Sequence, residues 1–82
     1  MTTRDRIRNH LKRHRILIGG MTQQELAQRA GVSRQTIISM EKGRYNPSVA
    51  LALRLAAIFS VTVEALFELE EGDHDEDSRT SP

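Results

Sequence analysis

The 82-residue chain has no cysteine and no tryptophan, and its aromatic residues are two Phe and one Tyr. Without cysteine there is no disulfide framework and no thiolate zinc site. So few aromatic side chains supply no platform on which successive bases of a single strand could stack. No apolar run approaches the roughly 20 residues that span a bilayer. The basic segment Met1 to Arg15 has no apolar stretch followed by a small-residue cleavage site. Neither a membrane span nor a secretory leader is therefore expected, and the chain reads as cytoplasmic. A chain this short buries only about 60% of its unfolded surface, enough for one small core.

The formal net charge of +1 is the sum of two unlike halves. Met1 to Tyr45 holds ten Lys or Arg against three Asp or Glu, a net +7, and Asn46 to Pro82 holds two against eight, a net −6. A basic half of this kind is a footprint for a polyanion, of which nucleic acid is the commonest. A solvated basic surface is the plainer alternative.

From Thr3, Ile7, Leu11, His14 and Ile18 recur at helical spacing among Arg4, Arg6, Arg8, Lys12 and Arg13, which predicts an amphipathic first helix ended by Gly19 and Gly20. Thr22 with Glu25 three residues on forms a capping box, so a second helix begins at Gln23 and closes at Gly31. Ser33 caps a third helix that runs through Lys42 to Gly43. After Asn46 and Pro47, Ser48 caps a fourth helix, whose Val49, Leu51, Ala52, Leu55, Ala56, Ile58 and Phe59 are apolar on most sides and predict a buried element. Thr62 caps a short fifth helix carrying Val63, Leu66, Phe67 and Leu69. No strand pattern and no internal repeat is visible, so the fold class expected is all-α. Beyond Leu69 the acids Glu70, Glu71, Asp73, Asp75, Glu76 and Asp77, set among Gly, Ser, Thr and Pro, predict an acidic disordered tail over 70–82.

Residues 23–42 form two helices of about two turns each around a tight turn at Gly31. Small Ala27 permits close approach, and Leu26, Ala30, Val32, Ile37 and Met40 are spaced to share one core. This is helix-turn-helix geometry, in which the second helix can enter a major groove about 12 Å wide. The segment TQQELAQRAGVSRQTIISMEKGRYNPS, followed by an apolar helix and VTVEALFEL, resembles the Cro and repressor-type (XRE) helix-turn-helix family, especially its short stand-alone regulators. The resemblance covers Arg4 to Leu69. It implies a compact five-helix, lambda-repressor-like DNA-binding domain over 1–69, acting as a transcriptional regulator and usually as a homodimer on a palindromic operator. Two departures stand out: Gly19, Gly20 and Met21 occupy a link where the family commonly has a single glycine, and His14 sits where relatives often carry Leu.

With Ile37 and Met40 facing inward, Arg34, Gln35, Ile38, Ser39 and Lys42 fall on the outer face of the third helix. Arg34 suits guanine O6 and N7, or a phosphate; Gln35 suits adenine N6 and N7, and related repressors use this position so. Ile38 fits a thymine methyl or a half-buried packing position, and Ser39 completes the base-facing set. The resemblance places Gln23 at a phosphate, gives Ser33 a second role there beside its cap, and puts backbone contacts at Lys42, Arg44, Tyr45 and Asn46. It also pairs Arg15 with Glu41 as a partly buried ion pair between the first and third helices.

His10, His14 and His74 share no metal-ligand spacing, and no nucleophile elbow or phosphate loop is present. Neither a metal, a cofactor, a small-molecule ligand nor an enzymatic activity is expected. The rival readings are an antitoxin or other protein-interaction module and a restriction-modification controller, which a neighbouring toxin gene, or neighbouring methyltransferase and nuclease genes, would reveal. Binding to A-form RNA is disfavoured by its deep, narrow major groove.

Overall fold

A computed structural model describes residues 7–70. Its elements run β1 (Ile7–Asn9), α1 (Leu11–Leu17), α2 (Gln23–Ala30), α3 (Arg34–Glu41), α4 (Val49–Phe59), α5 (Val63–Leu66) and β2 (Phe67–Leu69). Four of the five helices begin at a hydroxyl that accepts a backbone amide three residues on. Thr22 accepts from Glu25, Ser33 from Thr36, Ser48 from Leu51 and Thr62 from Ala65. At Thr22 the box is complete, because its own amide donates to the Glu25 carboxylate at 2.8 Å. Each such cap contributes about 1 kcal/mol.

Every helix sends at least one large, fully buried side chain to the centre: Leu11, Leu26, Ile37 with Met40, Leu55 and Leu66. Ala27 and Ala30 on α2 are buried as well, so α2 lies close against its neighbours. The α2 to α3 turn is made by Gly31 at φ +75°, with the Val32 amide donating to the Ala27 carbonyl at 3.0 Å. A β-carbon at that angle is strained, which is why glycine stands there.

The fold is mostly helical rather than all-α. β1 and β2 pair antiparallel, with Ile7 opposite Leu69, Arg8 opposite Glu68 and Asn9 opposite Phe67. The first helix accordingly begins at Leu11. The His10 amide donates to the Leu66 carbonyl at 2.8 Å and the Asn9 side chain accepts the Leu11 amide at 3.2 Å, so the backbone before Leu11 is committed to the ladder instead of a helical turn. Ile7 is half-buried in β1, Ile18 is exposed, and α1 buries Leu11 and Arg15. The fifth helix likewise stops at Leu66, where Phe67 turns extended (φ −131°, ψ 140°) to start β2, and Leu69 is exposed. α4 is buried on one side only, with Val49 and Leu53 in solvent.

In the α1 to α2 link Gly19 and Gly20 are both left-handed (φ +102° and +82°). The Met21 amide then returns to the Arg15 carbonyl at 2.9 Å, and Met21 is buried. His14 packs against Phe59 with ring centroids 5.7 Å apart and the planes tilted by 53°, and its Nδ1 lies 3.0 Å from the His10 carbonyl oxygen. The expected tail over 70–82 lies outside the described residues from position 71 on, as do His74 and the segment 1–6 with Arg4 and Arg6. Among the described residues no helix is long and apolar enough to cross a membrane.

Candidate nucleic-acid interface

α3 is amphipathic across its width: Ile37 and Met40 are buried, while Arg34 and Gln35 in its first turn are exposed. Ile38 and Ser39, one turn further, are half-buried on the same outer side. Lys42, Arg44, Tyr45 and Asn46 are exposed in the loop that follows. That loop is shaped by Gly43 at φ +76° and by the Arg44 amide donating to the Ser39 carbonyl at 2.9 Å. Among the described residues the side chains of Arg34, Gln35, Lys42, Arg44 and Asn46 have no hydrogen bond or ion pair, so their donors point to solvent. Ser33, exposed at the start of α3, is partly committed: its hydroxyl accepts the Thr36 amide and lies 3.0 Å from the Thr36 hydroxyl.

The far end of α3 is held by three other elements. Arg15 of α1 meets Glu41 with Nε at 2.7 Å from one carboxylate oxygen and Nη2 at 3.0 Å from the other, while its Nη1 donates to the Met21 carbonyl. The two side chains are 11% and 8% exposed, so the pair sits nearly out of water. Gln23 of α2 donates its side-chain amide to the same carboxylate at 3.1 Å. Gln23 is therefore half-buried and shares its polar group between the interior and the surface, whereas a pure phosphate ligand would be fully outward. Asn9 of β1 donates to the Met40 carbonyl at 2.6 Å.

Two positioning residues escape the sequence pattern. Asn9 caps α3 at its C-terminal end and α1 at its start; the signal was an Asn within a stretch assigned to helix, where Asn favours caps. Arg54 of α4 donates from Nη1 to the carbonyl of Ala30 at 2.9 Å and so holds the last carbonyl before the helix-turn-helix bend. Its signal was a lone cation in an otherwise apolar helix.

Among the described residues no group of three or more His, Asp or Glu could hold a metal ion. His10 instead meets Glu68 at 2.8 Å across the sheet. Arg34, Lys42 and Arg44 are exposed cations at and just beyond α3.

Residues 11–66 match a helix-turn-helix family model. The chain belongs to the XRE-type helix-turn-helix family. This XRE-type chain is 46% identical over 67 residues to an uncharacterized HTH-type transcriptional regulator of Methanocaldococcus jannaschii, covering 82% of the chain and 100% of the relative. A relative of the same description in Methanothermobacter thermautotrophicus is 50% identical over 66 residues, 79% of the chain and 94% of that protein. The HTH-type transcriptional regulator YgzD of Bacillus subtilis is 46% identical over 52 residues, 63% of the chain and 79% of the relative.

Proposed function

We propose that this XRE-type chain is a sequence-specific, double-stranded-DNA-binding transcription regulator that represses by occupying a palindromic operator as a homodimer. The observation that carries the reading is the outer face of α3, polar and unpartnered at Arg34 and Gln35 on a helix whose opposite face is locked into the core. In the major groove Arg34, Gln35, Ile38 and Ser39 face base edges, and each good bidentate pair discriminates by about 1 to 3 kcal/mol. Lys42, Arg44, Tyr45, Asn46, Ser33 and Gln23 face phosphates, which fix register without reading sequence. The Arg15 and Glu41 pair, by contrast, carries no DNA contact and keeps α3 at its angle.

One module of this size reads few base pairs. Two modules about a dyad, on half-sites about 34 Å apart, multiply the discrimination, which supports the homodimer. Selection of duplexes from random DNA by the purified protein, at two salt concentrations, tests the proposal. A palindromic motif that survives at the higher salt is expected. Recovery of no motif, together with binding that vanishes as salt rises, would overturn it, since purely electrostatic binding behaves in that way.

A further inference from the structure

α4 has the sequence VALALRLAAIF, in which Arg54 is the one polar residue. A helix apolar all round belongs in an interior, yet α4 buries a single side against the core. On the opposite side Val49 is 76% and Leu53 57% exposed, and Ala57 continues the same i, i+4 row in solvent. The row is about 12 Å long at 1.5 Å per residue. Arg54 beside it is exposed and donates from Nη1 to the Ala30 carbonyl, while Val49, Leu53 and Ala57 themselves carry no charge.

We propose that the row Val49, Leu53 and Ala57 is the surface on which a second copy of this chain docks, with the two α4 helices crossing antiparallel about a two-fold axis beside Leu53. The inference rests on the homodimer reading above and names its interface. Three observations favour a second copy. The row is self-complementary: an antiparallel crossing sets Leu53 against its counterpart and places large Val49 against small Ala57 at both ends. A parallel crossing would set Val49 against Val49 and leave a gap between the two Ala57 positions. Closed two-fold contacts require such a patch, present on both subunits and matched to itself, and i, i+4 ridges interdigitate readily. The module also occurs without a further domain to cover it, since the Methanocaldococcus jannaschii relative is matched over its whole length. Finally, none of Val49, Leu53 and Ala57 is among the residues assigned to DNA, so docking on this row does not use up the outer face of α3.

Sedimentation equilibrium of the full chain, wild type and Leu53→Glu, free and on the duplex recovered by selection, is the test. Free in solution the expected result is twice the 9.3 kDa chain mass for wild type and a single chain mass for Leu53→Glu with an unchanged circular dichroism spectrum, and on the duplex two wild-type chains add to the mass of the DNA. Because the chain has no cysteine, single-cysteine variants give an independent reading. Leu53→Cys should be joined in pairs by a short bis-maleimide, whereas Val49→Cys, about 12 Å from its counterpart along the crossing, should not. A Leu53→Glu protein that stays dimeric, or a Leu53→Cys protein that resists joining while wild type is dimeric, overturns this surface and leaves the homodimer standing. Wild type that is monomeric both free and on DNA overturns both, and assigns the row to a partner of different sequence.

Discussion

Glu41 receives three donors, two from Arg15 and one from Gln23, so a single substitution there disturbs three elements at once. In Glu41→Gln the amide replaces a carboxylate beside a guanidinium that water scarcely reaches, and an unpaired buried charge costs about 3 kcal/mol. Chemical denaturation should show a loss of that size, and DNA affinity measured well below the melting point should change less than stability does. A melting midpoint equal to wild type would remove Glu41 from the structural role. Ser60 offers the opposite sign. It ends α4 in the left-handed region at φ +57°, the one non-glycine residue among those described with a positive φ. Glycine relieves the steric penalty there but adds freedom to the unfolded chain. The net expectation for Ser60→Gly is a gain of about 0.5 to 1 kcal/mol, seen in a thermal scan as a rise of a few degrees.

The C-terminal end of α3 depends on β1 through one hydrogen bond, from Asn9 to the Met40 carbonyl. Asn9→Ala removes that bond together with the cap on Leu11, and each contributes about 1 kcal/mol. Hydrogen exchange should quicken at the Lys42 and Gly43 amides, which bond to Ile38 and Met40, while the amides of α2 keep their protection. Unchanged exchange at both positions would show that the sheet does not brace α3. That link also marks where the sequence stops being readable. The helix starts at Gln23, Arg34, Val49 and Val63 were legible because each cap is local, a hydroxyl three residues from the amide it accepts. The strands were not, because each has three residues, too few to show alternation, and their pairing joins Ile7 to Leu69 across nearly the whole chain. Ile7 also falls four residues before Leu11 and Leu69 three after Leu66, so both fit a helical stripe as well as a strand. On the candidate site, the outward positions of α3 follow from period alone, whereas the Gln23 amide turning to Glu41 depends on where α1 and α3 meet.

The near-zero net charge conceals the field a polyanion would meet. Without Glu70 to Pro82, which hold six acids and one Arg, the chain carries +6. Arg15 is spent internally on Glu41, while Arg34, Lys42 and Arg44 stand together at and just beyond α3 without partners among the described residues. Two substitutions on this surface should therefore fail in different ways. Lys42→Ala deletes a cation that sees phosphate on every sequence, so affinity should fall by a similar factor for selected and random duplexes, and the slope of log affinity against log salt should become shallower by about one unit. Gln35→Ala deletes an uncharged group at a base edge. Its slope should stay at the wild-type value, while repeated selection should lose preference at one position of each half-site, a discrimination of about 1 to 3 kcal/mol. Titration of both variants on the selected and a scrambled duplex over a salt series separates the two. If Gln35→Ala weakens both duplexes equally, Gln35 lies outside the groove and α3 is docked in another register. If Lys42→Ala leaves the slope unchanged, the loop after α3 faces away from the phosphates.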